Sequence, residues 1–163
     1  MFLLLTVLSL AAFAHGDPDA RLLVRNAAST ITIRVGDLHG LRYAVTTAAA
    51  LVPSVALRDG TVELGWRESG RAGRDDVSIV LDRAARWDIR LPHGAGELRA
   101  DLRGGRLAGL SLGVAGRADL RLPRPYGVVP IVFTDAAGTV HIDAPAPSGP
   151  DRYVISGSPP TPR

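Results

Sequence analysis

The sequence predicts an all-β protein built as a short β-solenoid-like stack (a β-helix or stacked sheets) with repeats of about 20–22 residues. Apolar and polar residues alternate with a period of two, and glycines and prolines separate the alternating runs. We find no capped amphipathic helix after residue 20. The one plausible helical turn is 48–51, which Pro53 would end. An antiparallel β-sandwich is the alternative fold.

The first 14 residues are uncharged and apolar and end in Ala12-Phe13-Ala14. A short apolar segment followed by A-x-A is typical of a secretory signal peptide, whereas a membrane span needs about 20 apolar residues. We therefore predict a signal peptide at 1–14, cleaved after Ala14, and no transmembrane segment once it is removed. A buried N-terminal strand or helix, or a mis-called start codon, is the alternative, because the segment has no Lys or Arg.

The rest of the chain is predicted to have three parts. Residues 15–29 form a linker and strand lead-in, 30–144 the all-β repeat domain and 145–163 a Pro-rich tail with half of the 12 prolines. The first alternating runs of the domain are 30–35, 61–64, 77–81, 87–91 and 97–102. We expect Trp66 and Trp87 to pack in the core or cap the stack, and one last strand to form at 152–156.

The later strands repeat one pattern. Ala95-Gly96, Ala115-Gly116 and Ala137-Gly138 each open a six-residue alternating run, and their glycines are 20 and 22 residues apart. A period near 20 fits one coil of a β-solenoid. A second alternating strand precedes each run, marked by Ile89/Leu91, Leu110/Leu112 and Ile131/Phe133. The middle one is a residue closer to its glycine, which a bulge at Gly113 could absorb.

Stacking the three runs in register predicts a parallel ladder. Its apolar columns are Leu98/Ala118/Val140, Ala100/Leu120/Ile142 and Leu102/Leu122/Ala144. Its polar columns are Glu97/Arg117/Thr139, Arg99/Asp119/His141 and Asp101/Arg121/Asp143, in which positive and negative side chains alternate. Each opposite-charge pair across neighbouring strands contributes roughly 0.2–1 kcal/mol, so we expect the ladder to act more on register than on stability.

Three segments carry a resemblance to a known family: WDIRLPHGAGELRADLRGG, LAGLSLGVAGRADLRLPRPYGVVPIVF and TDAAGTVHIDAP. Together with Leu122–Pro130 and the upstream Asp-Gly-Thr-Val at 59–62, they resemble actinobacterial-type members of the bacterial "putative adhesin" family. That family includes autotransporter-type head domains and cell-envelope stress-response domains. The resemblance covers about residues 26–157 and implies a β-solenoid or stacked-sheet domain without a catalytic residue to transfer.

Gly109-Leu110-Ser111-Leu112-Gly113 matches G-x-S-x-G, and Asp119 or Asp135 and His141 follow in the order of a hydrolase triad. That motif requires a strand–turn–helix, whereas Ser111 lies within an alternating strand. We therefore favour a strand serine and predict no catalytic residue.

The histidines are scattered at 15, 39, 93 and 141, without an H-x-H or H-x-x-x-H pair. Stacking would bring His141 beside Asp119, which we interpret as a structural ion pair rather than a metal site. Gly94-Ala95-Gly96 has no third glycine and no following helix, so it does not predict a phosphate cradle. We predict no metal and no cofactor.

The amino-acid composition excludes further classes of protein and of functional site. The 163 residues are 46% hydrophobic, 5% aromatic and free of cysteine, which excludes a disulfide scaffold, a thiolate metal site and a cysteine nucleophile. The net charge is +3, and all 19 basic residues are arginine. Acidic residues are interleaved with these arginines and aromatics are few, so we predict no nucleic-acid partner and a solvated mixed-charge face. Weak affinity for anionic envelope polymers or lipid headgroups is the alternative.

The sequence thus predicts a secreted or envelope-associated, non-enzymatic, adhesin-like binding or structural module. One exposed strand face or the end of the stack would contact an unidentified envelope polymer or protein. The alternatives are a sensory or regulatory envelope-stress domain that acts through protein–protein contact and, from another class, a small serine hydrolase using Ser111.

Overall fold

The computed structural model describes residues 19–157, so the predicted signal peptide at 1–14 and its cleavage site lie outside the described residues. The described chain forms thirteen β-strands and no helix. In chain order they are β1 (Asp19–Val24), β2 (Thr30–Gly36), β3 (Tyr43–Thr47), β4 (Leu51–Arg58), β5 (Thr61–Glu68), β6 (Asp76–Asp82), β7 (Arg86–Leu91), β8 (Ala95–Asp101), β9 (Arg106–Leu112), β10 (Ala115–Arg121), β11 (Val128–Phe133), β12 (Ala137–Asp143) and β13 (Arg152–Gly157).

The strands form two mixed sheets that share one apolar core. Sheet A has six strands in the order β12-β10-β8-β2-β6-β3, and sheet B has seven in the order β13-β11-β9-β7-β1-β5-β4. Apart from two antiparallel pairs, β3 with β6 and β4 with β5, all neighbours are parallel. This confirms the predicted all-β, stacked-sheet fold of the β-solenoid type.

Each coil contributes one strand to sheet B and the next to sheet A, and we call such a pair a rung. Along the stack the rungs are β5/β6, β1/β2, β7/β8, β9/β10 and β11/β12, with β13 beginning another in sheet B. The first rung of the chain therefore lies second in the stack, since β5 and β7 pair with opposite edges of β1. The later rungs follow in chain order.

The antiparallel strands β3 and β4 close one end of the stack. The plausible helical turn at 48–51 is a single four-residue turn between β3 and β4 and not part of a helix: the Leu51 N–H donates to the Ala48 carbonyl at 3.0 Å, and Leu51 begins β4. Pro53 lies inside β4 and is paired with Trp66 of β5. Because β4 is an edge strand, a residue without an N–H is tolerated there.

The core between the sheets is apolar, and no polar or charged side chain of 19–157 is buried in it. The predicted packing of the tryptophans is observed. Trp87 is fully buried and its indole N–H donates to the Asp82 carbonyl at 2.9 Å. Trp66 is partly buried against the core, and its indole N–H donates to the Ala27 carbonyl at 3.1 Å.

The predicted register of the repeats is confirmed. Arg117 pairs with Glu97 and Thr139, Asp119 with Arg99 and His141, and Arg121 with Asp101 and Asp143. The preceding strands align through Leu110, which pairs with Ile89 and Ile131.

The bulge lies at a different place from the one predicted. The recorded irregularity is between Trp87 and Asp88, which pair with Leu107 and Gly109 and skip one residue of β9. The turn at Gly113 is simply shorter, and its N–H donates to the Leu91 carbonyl at 2.9 Å.

A column of close backbone approaches explains why each repeat opens with Ala-Gly. A Cβ on Gly96 would lie 2.7 Å from the Ser29 carbonyl oxygen, and one on Gly116 would lie 2.7 Å from the Gly96 oxygen. Gly138 approaches the Gly116 carbonyl oxygen more closely still. Consecutive rungs therefore favour glycine here, because each carbonyl oxygen lies too close for the next residue to carry a Cβ.

Strands also form on both sides of the predicted repeat region, 30–144. The predicted linker at 15–29 contains β1, a central strand of sheet B, and the Pro-rich tail contains β13, which matches the last strand expected at 152–156. A lead-in segment becomes a central strand because β5 and β7 both pair with it, a long-range choice that the local sequence does not reveal.

Candidate functional site

The outer face of sheet A carries an ordered array of polar side chains. Alternate residues of β2, β8, β10 and β12 point away from the core, because the neighbours between them are buried or partly buried. Parallel pairing in register aligns these outward residues into columns that run across the strands.

Three columns can be followed from β12 toward β6. The first is Thr139, Arg117, Glu97, Thr30 and Asp76; the second is His141, Asp119, Arg99, Thr32 and Ser78; the third is Asp143, Arg121, Asp101, Arg34 and Val80. The face is therefore charged near β8, β10 and β12 and rich in hydroxyl groups near β2 and β6. Thr46 of β3 pairs with Ser78 and extends the hydroxyl part.

The closest ion pairs run along the strands rather than between them. Arg99 Nε lies 2.8 Å from Glu97 Oε1, and Arg117 Nε lies 2.9 Å from Asp119 Oδ2. The one recorded pair that crosses between rungs on this face joins Arg121 Nη1 to Asp101 Oδ2 at 3.9 Å. Opposite charges thus alternate across the ladder, but their shortest contacts are two residues apart in one strand.

Two of the carboxylates on this face have a lowered pKa because arginines donate hydrogen bonds to them. The hydrogen bond from Arg103, whose Nη2 lies 2.6 Å from Asp101 Oδ2, lowers the pKa of the Asp101 carboxyl from its ordinary value. The hydrogen bond from Arg117 lowers the pKa of Asp119 in the same way, and the nearby His141 adds a smaller electrostatic contribution. Both aspartates are solvent-accessible, so each pair contributes little to the free energy of folding.

Two shallow grooves follow this face. One, of about 560 Å³, is lined by four arginines, three carboxylates and His141. The other, of about 790 Å³, is lined by hydroxyl-bearing residues of β2, β3 and β6, by Arg74 and Arg99, and by the carboxylates Asp75, Asp76 and Glu97. Thr32, Glu97 and Arg99 line both grooves, which therefore form one continuous surface.

Arg34 lies where the charged and hydroxyl parts meet. It pairs in register with Asp101, yet the Asp101 carboxylate is held by Arg103 and Arg121. Within 19–157, Arg34 forms no ion pair and no side-chain hydrogen bond, and its side chain lines the first groove. Its guanidinium is thus oriented toward solvent beside the hydroxyl of Thr32.

The G-x-S-x-G serine is far from the histidine of the hypothetical triad. Ser111 pairs with Arg90 and Val132 on the outer side of sheet B, between the buried Leu110 and Leu112. His141 lies on the outer side of sheet A, so the core separates the two side chains. Packed sheets lie about 10 Å apart, which is too far for a nucleophile and its base.

The predicted proximity of His141 to Asp119 is confirmed by their direct pairing in β12 and β10. No group of three or more His, Asp or Glu side chains suited to a metal ion occurs among residues 19–157. The same residues contain no helix that is long and apolar enough to cross a membrane.

Comparison with solved structures supports the fold. The chain is similar to the crystal structure of a putative cell adhesion protein from Clostridium sporogenes ATCC 15579, with 22% sequence identity and a TM-score of 0.52. The match covers 78% of this chain and 66% of that one. The likeness is one of fold.

A putative adhesin from Bacteroides fragilis NCTC 9343 was also found, at 9% identity and a TM-score of 0.27, covering 83% of this chain and 89% of that one. No protein-family profile matches the sequence, and no curated protein matches it.

The hydroxyl half of the face was missed by the sequence analysis. The alternation Thr30-Ile31-Thr32-Ile33 predicted a strand, but nothing local indicated that it lies beside β8. β6 pairs with the other side of β2, so Ser78 lies in the same column as Thr32 although the two residues are far apart in the sequence.

Proposed function

We propose that this protein is an exported, non-enzymatic, adhesin-like binding module of the cell envelope and that the outer face of sheet A is its contact surface. The observation that carries the proposal is the continuous groove in which arginines, carboxylates and hydroxyl groups are aligned by strand register. The fold shared with a putative cell adhesion protein supports it.

The chemistry of the face favours an anionic, hydroxyl-rich envelope polymer. Arg34 offers a guanidinium without a recorded carboxylate partner in 19–157, and guanidinium groups bind carboxylates and phosphates through paired hydrogen bonds. Thr32, Ser78 and Thr46 add hydroxyl groups that both donate and accept hydrogen bonds. A flat, extended groove suits a chain-like ligand better than a small molecule that needs an enclosed pocket.

The test is binding of the purified protein to isolated anionic cell-wall polymer, measured by calorimetry or co-sedimentation. Arg34→Ala should weaken binding roughly ten-fold or more, because a hydrogen bond to a charged group contributes about 1.5–3 kcal/mol. The matched control is Arg58→Ala, which removes an exposed arginine at the end of β4 on sheet B and should leave binding unchanged. Equal losses in the two variants, or no binding by the parent protein, would refute the proposal.

Export is tested separately by the N-terminus and fraction of the native protein. A mature chain that begins at His15 in the extracellular or envelope fraction is expected. An intact N-terminus in the cytoplasm would contradict export and, with it, the envelope role.

The second candidate, an envelope-stress regulator that acts through protein–protein contact, is favoured by exposed apolar side chains at the start of β11, Tyr126 and Val128. Deleting the gene distinguishes the two. Loss of attachment supports the binding module, whereas a changed response to wall-directed antibiotics with normal attachment supports the regulator.

A further inference from the structure

The stack ends in a step formed by β12 and β13. β12 is the edge strand of sheet A, while β13 pairs with β11 and extends sheet B by one more strand. No strand of 19–157 lies beside the outer edge of β12. Two sheet edges with free backbone hydrogen-bonding groups are therefore offset by one strand, about 4.8 Å.

On β13 the core-facing side chains are incompletely covered. Tyr153 and Ile155 pair in register with Val129 and Ile131, which are buried, so they point toward the core. Ile155 is nevertheless 49% exposed, whereas Ile131 is 1% exposed. Ile155 stays exposed because, within 19–157, sheet A has no strand that faces β13 across the core.

On β12 the same pattern holds. Val140 and Ile142 pair with Ala118 and Leu120, which are fully buried, but are themselves only partly buried. An exposed edge strand with apolar side chains beside it tends to pair with another chain.

We propose that a second copy of this chain covers the step, related by a two-fold axis parallel to the strands. Such a rotation exchanges sheets A and B and reverses the direction of the stack. It therefore places β13 of each copy beside β12 of the other, so that both steps are filled at once. An isologous contact of this kind closes on itself and gives a dimer rather than a fibre.

The direction of the new strand pairs follows from the topology. β13 is parallel to β11, and β11 reverses into β12 through the three-residue turn at 134–136. β12 and β13 thus run in opposite directions. A two-fold axis along the strands preserves direction, so β12 of one copy pairs antiparallel with β13 of the other.

The axis also fixes the register, because it leaves each residue at the same level along the strands. Phe133 and Ala137 are both buried on either side of the turn at 134–136, and Phe133 pairs with Gly157, so β12 begins near the level at which β13 ends. Two exposed residues, Gly138 and Thr139, separate the core-facing Ala137 and Val140, so β12 holds one extra residue here. Allowing for that residue, core-facing side chains of β12 pair with core-facing side chains of β13. The outward pairs between copies would be Asp143 with Arg152, His141 with Val154 and Thr139 with Ser156. The inward pairs would be Ile142 with Tyr153 and Val140 with Ile155.

This register is complementary in charge and in hydrophobicity. Because of the symmetry, the dimer contains the Asp143–Arg152 pair twice. The four partly covered apolar side chains of each copy, on β12 and β13, contact those of the other copy. A two-fold axis perpendicular to the sheets would instead pair β13 of one copy, with its Val154, against β13 of the other. Both β12 edges would then remain uncovered. The step therefore favours the axis parallel to the strands.

Cysteine cross-linking of the full chain tests the geometry directly, because the protein has no cysteine of its own. His141→Cys combined with Val154→Cys should form a disulfide-linked dimer under mild oxidation, since paired residues lie within the Cα separation that a disulfide bridges. Each single variant should remain uncrosslinked. Cross-linking by either single variant alone would show that like strands meet and would overturn the proposal.

Sedimentation velocity over a concentration series tests the charge pairing without covalent trapping. Arg152→Asp should raise the dimer dissociation constant roughly ten-fold or more, and adding Asp143→Arg should restore dimerisation at least in part. Arg58→Asp, at the opposite end of the stack, should have no effect.

A parent chain that stays monomeric throughout the series would overturn the proposal. So would a dimer that appears only after residues 158–163 are removed, because the chain's own C-terminal residues would then be covering β12. Polymer binding through Arg34 would be unaffected by either result, so the two proposals fail independently.

Discussion

Glycine at the start of each repeat lets neighbouring rungs approach at normal strand spacing. At Gly116 an added Cβ would lie only 2.7 Å from the backbone carbonyl oxygen of Gly96. A backbone atom cannot move aside as the end of a flexible side chain can. The Ala-Gly repeat is therefore a packing requirement and not only a turn signal.

Gly116→Ala should lower the free energy of unfolding by about 1–3 kcal/mol, because the new methyl group forces β8 and β10 apart. Urea denaturation monitored by circular dichroism measures the change. Gly104→Ala is the control, since a Cβ there would meet nothing within 4 Å. It should change stability by less than about 0.5 kcal/mol. Equal effects of the two substitutions would show that the glycine column does not limit packing.

At the scale of the strand, charge specifies register more than it adds stability. The outward side chains of β8 and β10 are opposite in charge at all three paired positions, yet their shortest ion pairs lie within strands. A slip of one residue would turn every core-facing side chain of the strand outward. A slip of two would keep the apolar residues inside but set Asp119 against Asp101, which the charge pattern disfavours.

Arg121→Asp should destabilise the protein by about 1 kcal/mol, because Asp101 and Asp143 lie on either side of it in register. Adding Asp101→Arg should recover part of this loss, giving a coupling energy in a double-mutant cycle of chemical denaturation. Arg121→Asp combined with Asp88→Arg, on the other sheet, should be additive.

The coupling should also depend on pH. Because Arg103 lowers the pKa of Asp101 in the folded state, the stabilisation is present above the unfolded value near 3.8 and is lost as the pH falls through the folded value. Repeating the measurement of Arg121→Asp at acid pH should therefore show a smaller loss. A loss that does not change with pH would exclude the charge ladder as its cause.

At the scale of the whole molecule, strand pairing and burial are most complete in the middle of the stack and least complete at the step. β1 pairs with strands on both sides and its Leu22 is fully buried, whereas β13 pairs with β11 alone and is largely exposed. In a stacked repeat each rung is stabilised mainly by its neighbours, so an end rung opens more easily than an internal one.

Hydrogen exchange should follow this order, with β1 and β2 amides most protected and β13 amides least protected. Mass spectrometry after proteolysis resolves these strands. Measuring at increasing protein concentration adds a control, because dimer formation at the step should raise protection in β12 and β13 only. Uniform protection along the stack at low concentration would contradict the order expected from strand pairing.

The sequence by itself determined the all-β class, the strand period and the alignment of β8, β10 and β12. Those features are local or repeat at short spacing, so alternation and the Ala-Gly motif were sufficient to predict them. The bulge at Trp87–Asp88 was misplaced because a one-residue excess can be absorbed anywhere along a strand pair.

Only the tertiary structure decided that β1/β2 lies between β5/β6 and β7/β8, that β3 and β4 close one end and that β12 and β13 leave a step at the other. These choices depend on which apolar faces meet across long sequence separations. Alternating strands of similar composition fit one another in several orders, and only the packed core selects among them. The hydroxyl half of the candidate site followed from that order, and so could not be predicted from its residues alone.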